Sequence, residues 1–332
     1  MKWVYKVAFG LLAALTIVSA AGSLYYYSRM NDNTNEQPAY EFRNYPDYYF
    51  SLIVNTQDDI YWQEFKEGAT VAGKHFNVAI EFNEVSEPES HNQIVEYIHI
   101  ANQSQMDGII VAGESTEKYN AAIKQATESG INVVVGNYDT SDNNRVVYVG
   151  TNYYEFGVDA ADLISQLGGS DAPVDLAIIL SEKKSGDNAT DSATQNMNNG
   201  IRRGSINLTS TLYGTSDLLG AEDQIRTTLN EHPDIDVILC TNAKDTVSAA
   251  NVIRERNLVG KVYIVGTGVT PEIIDYIKKG VIFGVLNRNG YNAGYQSVRV
   301  LFESMGDTFS TTYKDINTST YTADNISSYV KP

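Results

Sequence analysis

Uninterrupted apolar runs of strand length alternate along this chain with segments whose apolar residues recur every three or four positions. The first runs are Tyr49–Val54, Val78–Phe82, Gly108–Ala112 and Ile131–Val135. Later ones are Leu176–Leu180, Ile206–Leu212, Val237–Cys240, Tyr263–Gly266 and Ile282–Leu286. Continuous rather than alternating apolar runs suit strands covered on both faces. Between the first four runs, Tyr61, Phe65, Ala69, Ala72 and Phe76 form one helical stripe, and Ile94, Ile98 and Ala101 a second. Tyr119, Ala122, Ile123 and Ala126 form a third, with Ser115 placed to cap that helix and Gly130 to stop it. Between the later runs the spacing predicts helices over Ala193–Arg203, Ala221–Glu231, Thr246–Asn257 and Pro271–Lys279. Pro271 suits a first helical turn and Gly280 a stop. Strand–helix–strand units of roughly 30 residues predict parallel sheets. The rhythm stops and restarts once, so two α/β halves in tandem are expected.

Ahead of this region, Val7–Tyr27 carries no charge. Roughly 20 apolar residues cross a bilayer core. Trp3 and Tyr5 flank the run on one side and Tyr25, Tyr26 and Tyr27 on the other, as interfacial aromatics do. Lys2 and Lys6 keep that end in the cytoplasm by the positive-inside rule. The expectation is a retained transmembrane helix within residues 1–30, a single-pass cell-membrane location and an extracellular ligand-binding region. Small residues at Ser19–Gly22 fit a cleaved secretory signal as the alternative, although the apolar run continues past them. Export is expected either way. A lipoprotein anchor needs a cysteine just after the signal, whereas the sole cysteine is Cys240. Residues 31–45 are polar and aperiodic and read as a stalk.

The net charge of −17, from 41 acidic against 24 basic residues, repels phosphates and sets nucleic acid aside as a partner. Of 332 residues, enough lie beyond the stalk for two domains of ordinary size. Cys240 ends an apolar run and reads as a buried strand thiol. His75, His91, His99 and His232 lack metal-ligand spacing, so no metal is expected. There is no G-x-S-x-G, and Gly266-Thr267-Gly268 lacks the third glycine of a dinucleotide loop, so no cofactor is expected. Asp58, Asp59, Glu114 and Asp139 could pair to cleave a glycoside, but nothing fixes their separation. No catalytic residue is assigned, and a binding protein is expected rather than an enzyme.

Ligands of open parallel sheets bind beyond the carboxyl ends of the strands. The residues there are Asn55 to Trp62, Gly113-Glu114 and Gly136 to Asp139 in the first half. In the second they are Thr241-Asn242, Thr267-Gly268 and Asn287-Arg288-Asn289. Amides, carboxylates and an arginine can replace the water around hydroxyl groups, and aromatic faces can cover the C–H face of a sugar ring. Asparagine and aspartate after strands also serve simply as turn and cap formers, and for any single residue both readings stay open.

These residues resemble a known family. From about Pro46 to Val330 the chain is similar to the type I periplasmic binding proteins, the ribose/xylose/galactose-binding group. Asn55-Thr-Gln-Asp-Asp-Ile-Tyr-Trp62 resembles their first-strand loop, which implies ligand contacts from Asp59, Tyr61 and Trp62. Met106-Asp-Gly-Ile-Ile-Val111 is similar to their third-strand signature, with Glu114 just beyond. The resemblance gives Asn137 and Tyr138 sugar-hydroxyl roles, places Gln195 or Asn196 near a second-domain arginine of the ribose binders, and matches Asn242 to a family asparagine. Leu286 to Gly294 resembles the segment returning to the first domain, with Asn287 and Arg288 facing the cleft. Two positions depart: Gly268 stands where the ribose binders place an aspartate, and Tyr138 where they place an arginine.

The family implies two Rossmann-like lobes joined by a three-strand hinge that closes on the ligand. The crossings are expected near Val146–Thr151, Leu286–Asn289 and Ser310–Asp315. The first lobe then takes 46–148 plus 289–311 and the second 150–287 plus 312–332. Transcriptional repressors share this fold but begin with a basic helix-turn-helix, where this chain has its uncharged run. With a retained helix the chain resembles the membrane-anchored sugar sensors of clostridia-like bacteria, including a xylose-responsive kind. That implies a monosaccharide ligand and a membrane sensor histidine kinase as partner. The alternative partner is the permease of a sugar ABC transporter.

Overall fold

The computed structural model of the chain describes residues 18–22, 45–55, 60–85, 90–112, 116–137, 145, 147–167, 173–180, 188–202, 205–214, 218–306 and 312–329. The chain divides into Met1–Tyr45 and Pro46–Pro332. Of the first unit, residues 18–22 are helical. The rest of the expected membrane helix and nearly all of the stalk lie outside the described residues. Among the described residues no helix is long and apolar enough to cross a membrane.

The second unit holds two six-stranded sheets. In chain order the elements of the first are β1 (Tyr48–Asn55), α1 (Ile60–His75), β2 (Val78–Val85), α2 (Ser90–Gln103), β3 (Gly108–Ala112), α3 (Glu117–Glu128), β4 (Asn132–Gly136) and β5 (Val147–Gly150). The second continues with α4 (Tyr153–Ser165), β6 (Val174–Leu180), α5 (Asn188–Ile201), β7 (Ile206–Tyr213), α6 (Leu218–Glu231), β8 (Val237–Cys240), α7 (Ala243–Glu255), β9 (Tyr263–Thr267), α8 (Pro271–Lys278) and β10 (Gly284–Asn287). Then come α9 (Gly290–Glu303), β11 (Tyr313–Asp315), β12 (Ser319–Thr322) and a 3₁₀ turn, Ile326–Ser328. The first sheet runs β11-β5-β4-β3-β1-β2 and the second β12-β10-β9-β8-β6-β7. All pairings are parallel except β10 with β12, which is antiparallel.

Each sheet is covered on both faces, which is why its strands read as continuous apolar runs. Leu52 and Ile110 point into one cluster with Phe65, Ala69, Ala293 and Leu301 of α1 and α9. The next residues, Ile53 and Val111, point to the other face with Ile94 and Ile98 of α2 and Ile123 of α3. In the second lobe Ile178 and Leu239 meet Phe156 and Met197, and Ile179 and Cys240 meet Ile225 and Ile253. Cys240 is the buried strand thiol expected, and burial above all, then the charge of Asp245, pushes its ionisation well above the ordinary thiol range.

Three differences from the sequence reading have physical reasons. Thr116, not Ser115, caps α3: its backbone is extended and its hydroxyl accepts from the Tyr119 N–H at 3.3 Å. Tyr313–Asp315, assigned with the tail to the second lobe, pairs with β5 in the first sheet, so the last crossing falls after Asp315. Its pairing there continues the first sheet's edge, while β12 caps the other sheet. Helices α4 and α9, which the strand–helix rhythm does not predict, come directly after two crossings and pack backbone to backbone on their neighbours. A Cβ on Gly157 would lie 2.1 Å from the Met197 carbonyl oxygen, and one on Gly294 1.9 Å from that of Phe65.

Candidate functional site

The carboxyl end of β10 delivers Arg288 where the chain passes from the second sheet to α9. Asn289 adopts φ +55° there and caps α9 through the Asn292 N–H, so the backbone turns sharply and the arginine is carried inward. Arg288 is only 6 % exposed. One of its terminal nitrogens donates to Asn137 Oδ1 and to the Tyr153 hydroxyl, each at 3.1 Å. Its guanidinium carbon sits 4.4 Å from the centre of the Tyr61 ring. A guanidinium over a desolvated ring gains roughly 0.5–2 kcal/mol from the ring quadrupole.

The partners come from three places. Tyr61, 4 % exposed, lies in the first turn of α1. Asn137 comes just after β4 at φ +70°, a left-handed conformation asparagine tolerates, and is 8 % exposed. Its backbone carbonyl accepts from the Tyr148 hydroxyl at 2.9 Å. Tyr153 opens α4 just past the first crossing, behind the Asn152 cap, and its hydroxyl also donates to Asn137 Oδ1 at 3.2 Å. The Asn137 side-chain oxygen is thus committed to two donors, and its N–H groups point away from them.

Two further contacts dock α1 on the second lobe. A Cβ on Gly268, whose φ is +85°, would lie 3.1 Å from Ile60 Cγ2 and 3.0 Å from Ala243 Cβ, and Ile60 packs against the second-lobe core. One turn along, the buried Glu64 carboxylate accepts from the Tyr329 hydroxyl at 3.3 Å. Burial first, then the Glu64 charge, pushes the Tyr329 phenol above its ordinary range.

The structure therefore gathers Tyr61, Asn137 and Arg288, and sets Gly268 against Ile60. Trp62 is 7 % exposed and packs within the first-lobe core, its ring 5.3 Å from that of Phe65 and 5.1 Å from that of Tyr61. Asn242 caps α7. Asn287 is half-buried and accepts from the Asn289 N–H at 3.4 Å. Gln195 and Asn196 are exposed on α5. Asp59, Glu114 and Tyr138 lie outside the described residues. Sequence reasoning missed Tyr153, Ile60 and Glu64. The signal for Tyr153 was an aromatic behind a capping asparagine at a crossing. Among the described residues no group of three or more His, Cys, Asp or Glu side chains is placed to hold a metal ion. Hydrogen-bond donors beside an aromatic face, at a seam between two lobes, suit reversible binding of a polar, uncharged molecule.

A family model described as a periplasmic binding protein domain matches residues 50–307. The D-allose-binding periplasmic protein of Escherichia coli K12 is 22 % identical over 265 residues, covering 77 % of this chain and 84 % of that protein. A solved structure of a XylFII–LytSN complex superposes with a TM-score of 0.73 at 22 % identity, covering 83 % of this chain and 98 % of the matched one. A carbohydrate transporter solute-binding protein from Agrobacterium radiobacter, solved with D-arabinose, gives 0.75 at 18 % identity, covering 84 % and 96 %. With the match spanning most of its length, the two-lobed chain belongs to the periplasmic binding protein family, whose members are non-enzymatic binding components.

Proposed function

We propose that this protein is an extracytoplasmic receptor for a monosaccharide, a pentose such as xylose or a hexose. It closes its lobes on the sugar and signals to a membrane sensor histidine kinase. The observation that carries the reading is Arg288, held over Tyr61 and against Asn137 and Tyr153 where two crossings meet. A sugar bridging the lobes favours the closed state only through contacts the open state lacks. About six to eight hydrogen bonds at roughly 0.5–1.5 kcal/mol each, plus ring contact, suffice for micromolar binding near −8 kcal/mol once ordering is subtracted. D-Allose and D-arabinose, the sugars named for two relatives, support the ligand class. The complex of XylFII with LytSN supports a protein partner. The uncharged run Val7–Tyr27 supports a retained helix and a single-pass membrane location.

The test is calorimetric titration of the purified full-length chain with D-xylose, L-arabinose, D-ribose, D-glucose, D-galactose and D-allose, alongside sugar phosphates. At least one neutral sugar should bind, and the phosphates should not. Heat from none of them refutes the proposal. Service as the substrate-binding component of a sugar ABC transporter is the second reading, favoured by the likeness to the A. radiobacter protein. Affinity capture from the native membrane that recovers permease subunits and no kinase would establish it instead.

A further inference from the structure

We infer that Asp245 is a positioning residue that locks the Asn242 amide, so that the second lobe offers a fixed N–H donor beyond the carboxyl end of β8. The inference rests on the monosaccharide-receptor reading. Asp245 lies in the first turn of α7 and is 0 % exposed. Its carboxylate accepts from Asn242 Nδ2 at 2.6 Å, while its own backbone N–H donates to Asn242 Oδ1 at 2.8 Å. The amide is thus held at both ends. Turning it over would set its oxygen against a buried carboxylate and its N–H₂ against a backbone N–H, losing both bonds. Charge-assisted bonds such as the first are about twice as strong as neutral ones.

Space is kept for this carboxylate. A Cβ on Gly214 would lie 2.7 Å from Asp245 Oδ2. The Asn242 backbone is fixed as well, since its carbonyl accepts from the Thr246 hydroxyl at 2.7 Å. The next residue, Ala243, touches the seam formed by Ile60 and Gly268, so Asn242 stands at the boundary between lobes. An asparagine amide has two N–H groups. One is committed to Asp245, and the other is available to a hydroxyl or ring oxygen. The simpler role for Asp245 is an acid in the first turn of a helix, favourable to the helix dipole. That role predicts a change in stability alone.

Two measurements on the purified full-length chain separate these roles. In the ligand-free protein, NMR should show one Asn242 side-chain amide proton shifted downfield and protected from exchange, and Asp245→Ala should abolish it. In titrations with the six sugars above, Asp245→Ala should weaken the tightest binder by about fivefold or more. Asp245→Asn, which keeps an acceptor oxygen, should restore most of that loss. Asn242→Ser keeps the helix cap but removes the amide, and in that background Asp245→Ala should bring no further loss. Wild-type affinity in Asn242→Ser overturns the inference, even where Asp245→Ala does not fold. An equal Asp245→Ala loss in the Asn242→Ser background overturns it too. A wild-type protein that shows the protected proton yet binds none of the sugars overturns the receptor reading. One that binds a sugar and lacks the proton overturns the lock.

Discussion

Replacing Gly68 by alanine tests how the first lobe holds its binding edge. Gly68 of α1 faces α9, and a Cβ there would lie 1.9 Å from the Tyr291 carbonyl oxygen. Cβ atoms essentially never approach within 3.0 Å, so the two helices must part by about 1.1 Å. The facing glycines Gly290 and Gly294 show that the tight approach extends along the contact, with Cβ positions 2.3 and 1.9 Å from the carbonyl oxygens of Tyr61 and Phe65. The helix itself gains about 1 kcal/mol from Gly→Ala. Overpacking costs about 1–3 kcal/mol or more, and separation also loosens Phe65, Ala69, Ala293 and Leu301 in the shared core. A net loss of about 2 kcal/mol lowers the thermal midpoint by roughly 3 °C for a folded region of this size. The same displacement moves Tyr61 against Arg288, so affinity for the tightest-binding sugar should fall about tenfold, or 1.4 kcal/mol. Thermal unfolding and calorimetry on the purified chain give both numbers, with Val71→Ala on the exposed face of α1 as a near-neutral control. A Gly68→Ala protein as stable as wild type would refute the reasoning, because the backbones would then have slack that the geometry denies.

Three other outcomes are expected. Arg288→Met keeps an unbranched chain over Tyr61 but loses the bonds to Asn137 and Tyr153, so stability should fall by about 1–3 kcal/mol and sugar binding should weaken; unchanged calorimetric affinity removes Arg288 from the site. Tyr329→Phe should narrow its stability gap from wild type as pH rises past about 10. The folded state holds the Tyr329 proton more tightly than the unfolded chain, so that contribution is complete below the unfolded value and is lost as pH climbs toward the folded one; urea midpoints at pH 8 and 11 that differ equally between the two proteins exclude it. Residues 46–332 should fold alone with the full chain's thermal midpoint, because both sheets and their four clusters lie within that unit; aggregation of that fragment on expression excludes it.

The fold was legible wherever a strand is buried on both faces. Gly108–Ala112 and Val237–Cys240 announce themselves because every position is apolar and every position is buried. The edge strands Tyr-Lys-Asp and Ser-Thr-Tyr-Thr carry no such run, because one side of each borders no further strand. In α4, Phe156, Ala160, Leu163 and Ile164 do carry a stripe, but it begins just past the crossing expected at Val146–Thr151 and has no apolar strand run directly before it in the second half. At the site, Asn137 and Arg288 were reachable because each stands directly past the carboxyl end of a strand. Tyr153 was not, because it arrives through the first position of a helix across the seam. Ile60 falls within the segment beyond the first strand but is an apolar residue among polar ones, and only the approach of Gly268 gives it a counterpart. Asp245 stands just ahead of the helix predicted from Thr246, and its burial beneath Asn242 has no local signature.

The interleaving of the lobes constrains the order in which this protein can be made. Phe50 and Leu52 belong near the start of the chain, yet the cluster that covers them also needs Ala293, Val298, Leu301 and Ile316. The sheet beside them gains its last strand only at Tyr313–Asp315. A ribosome must therefore release almost the entire polypeptide before the earliest lobe can seal, and closing such long loops is slow. Until then the nascent chain keeps one apolar flank open. It remains a partly folded chain with exposed apolar surface, the kind of species that chaperones hold, rather than a finished globule.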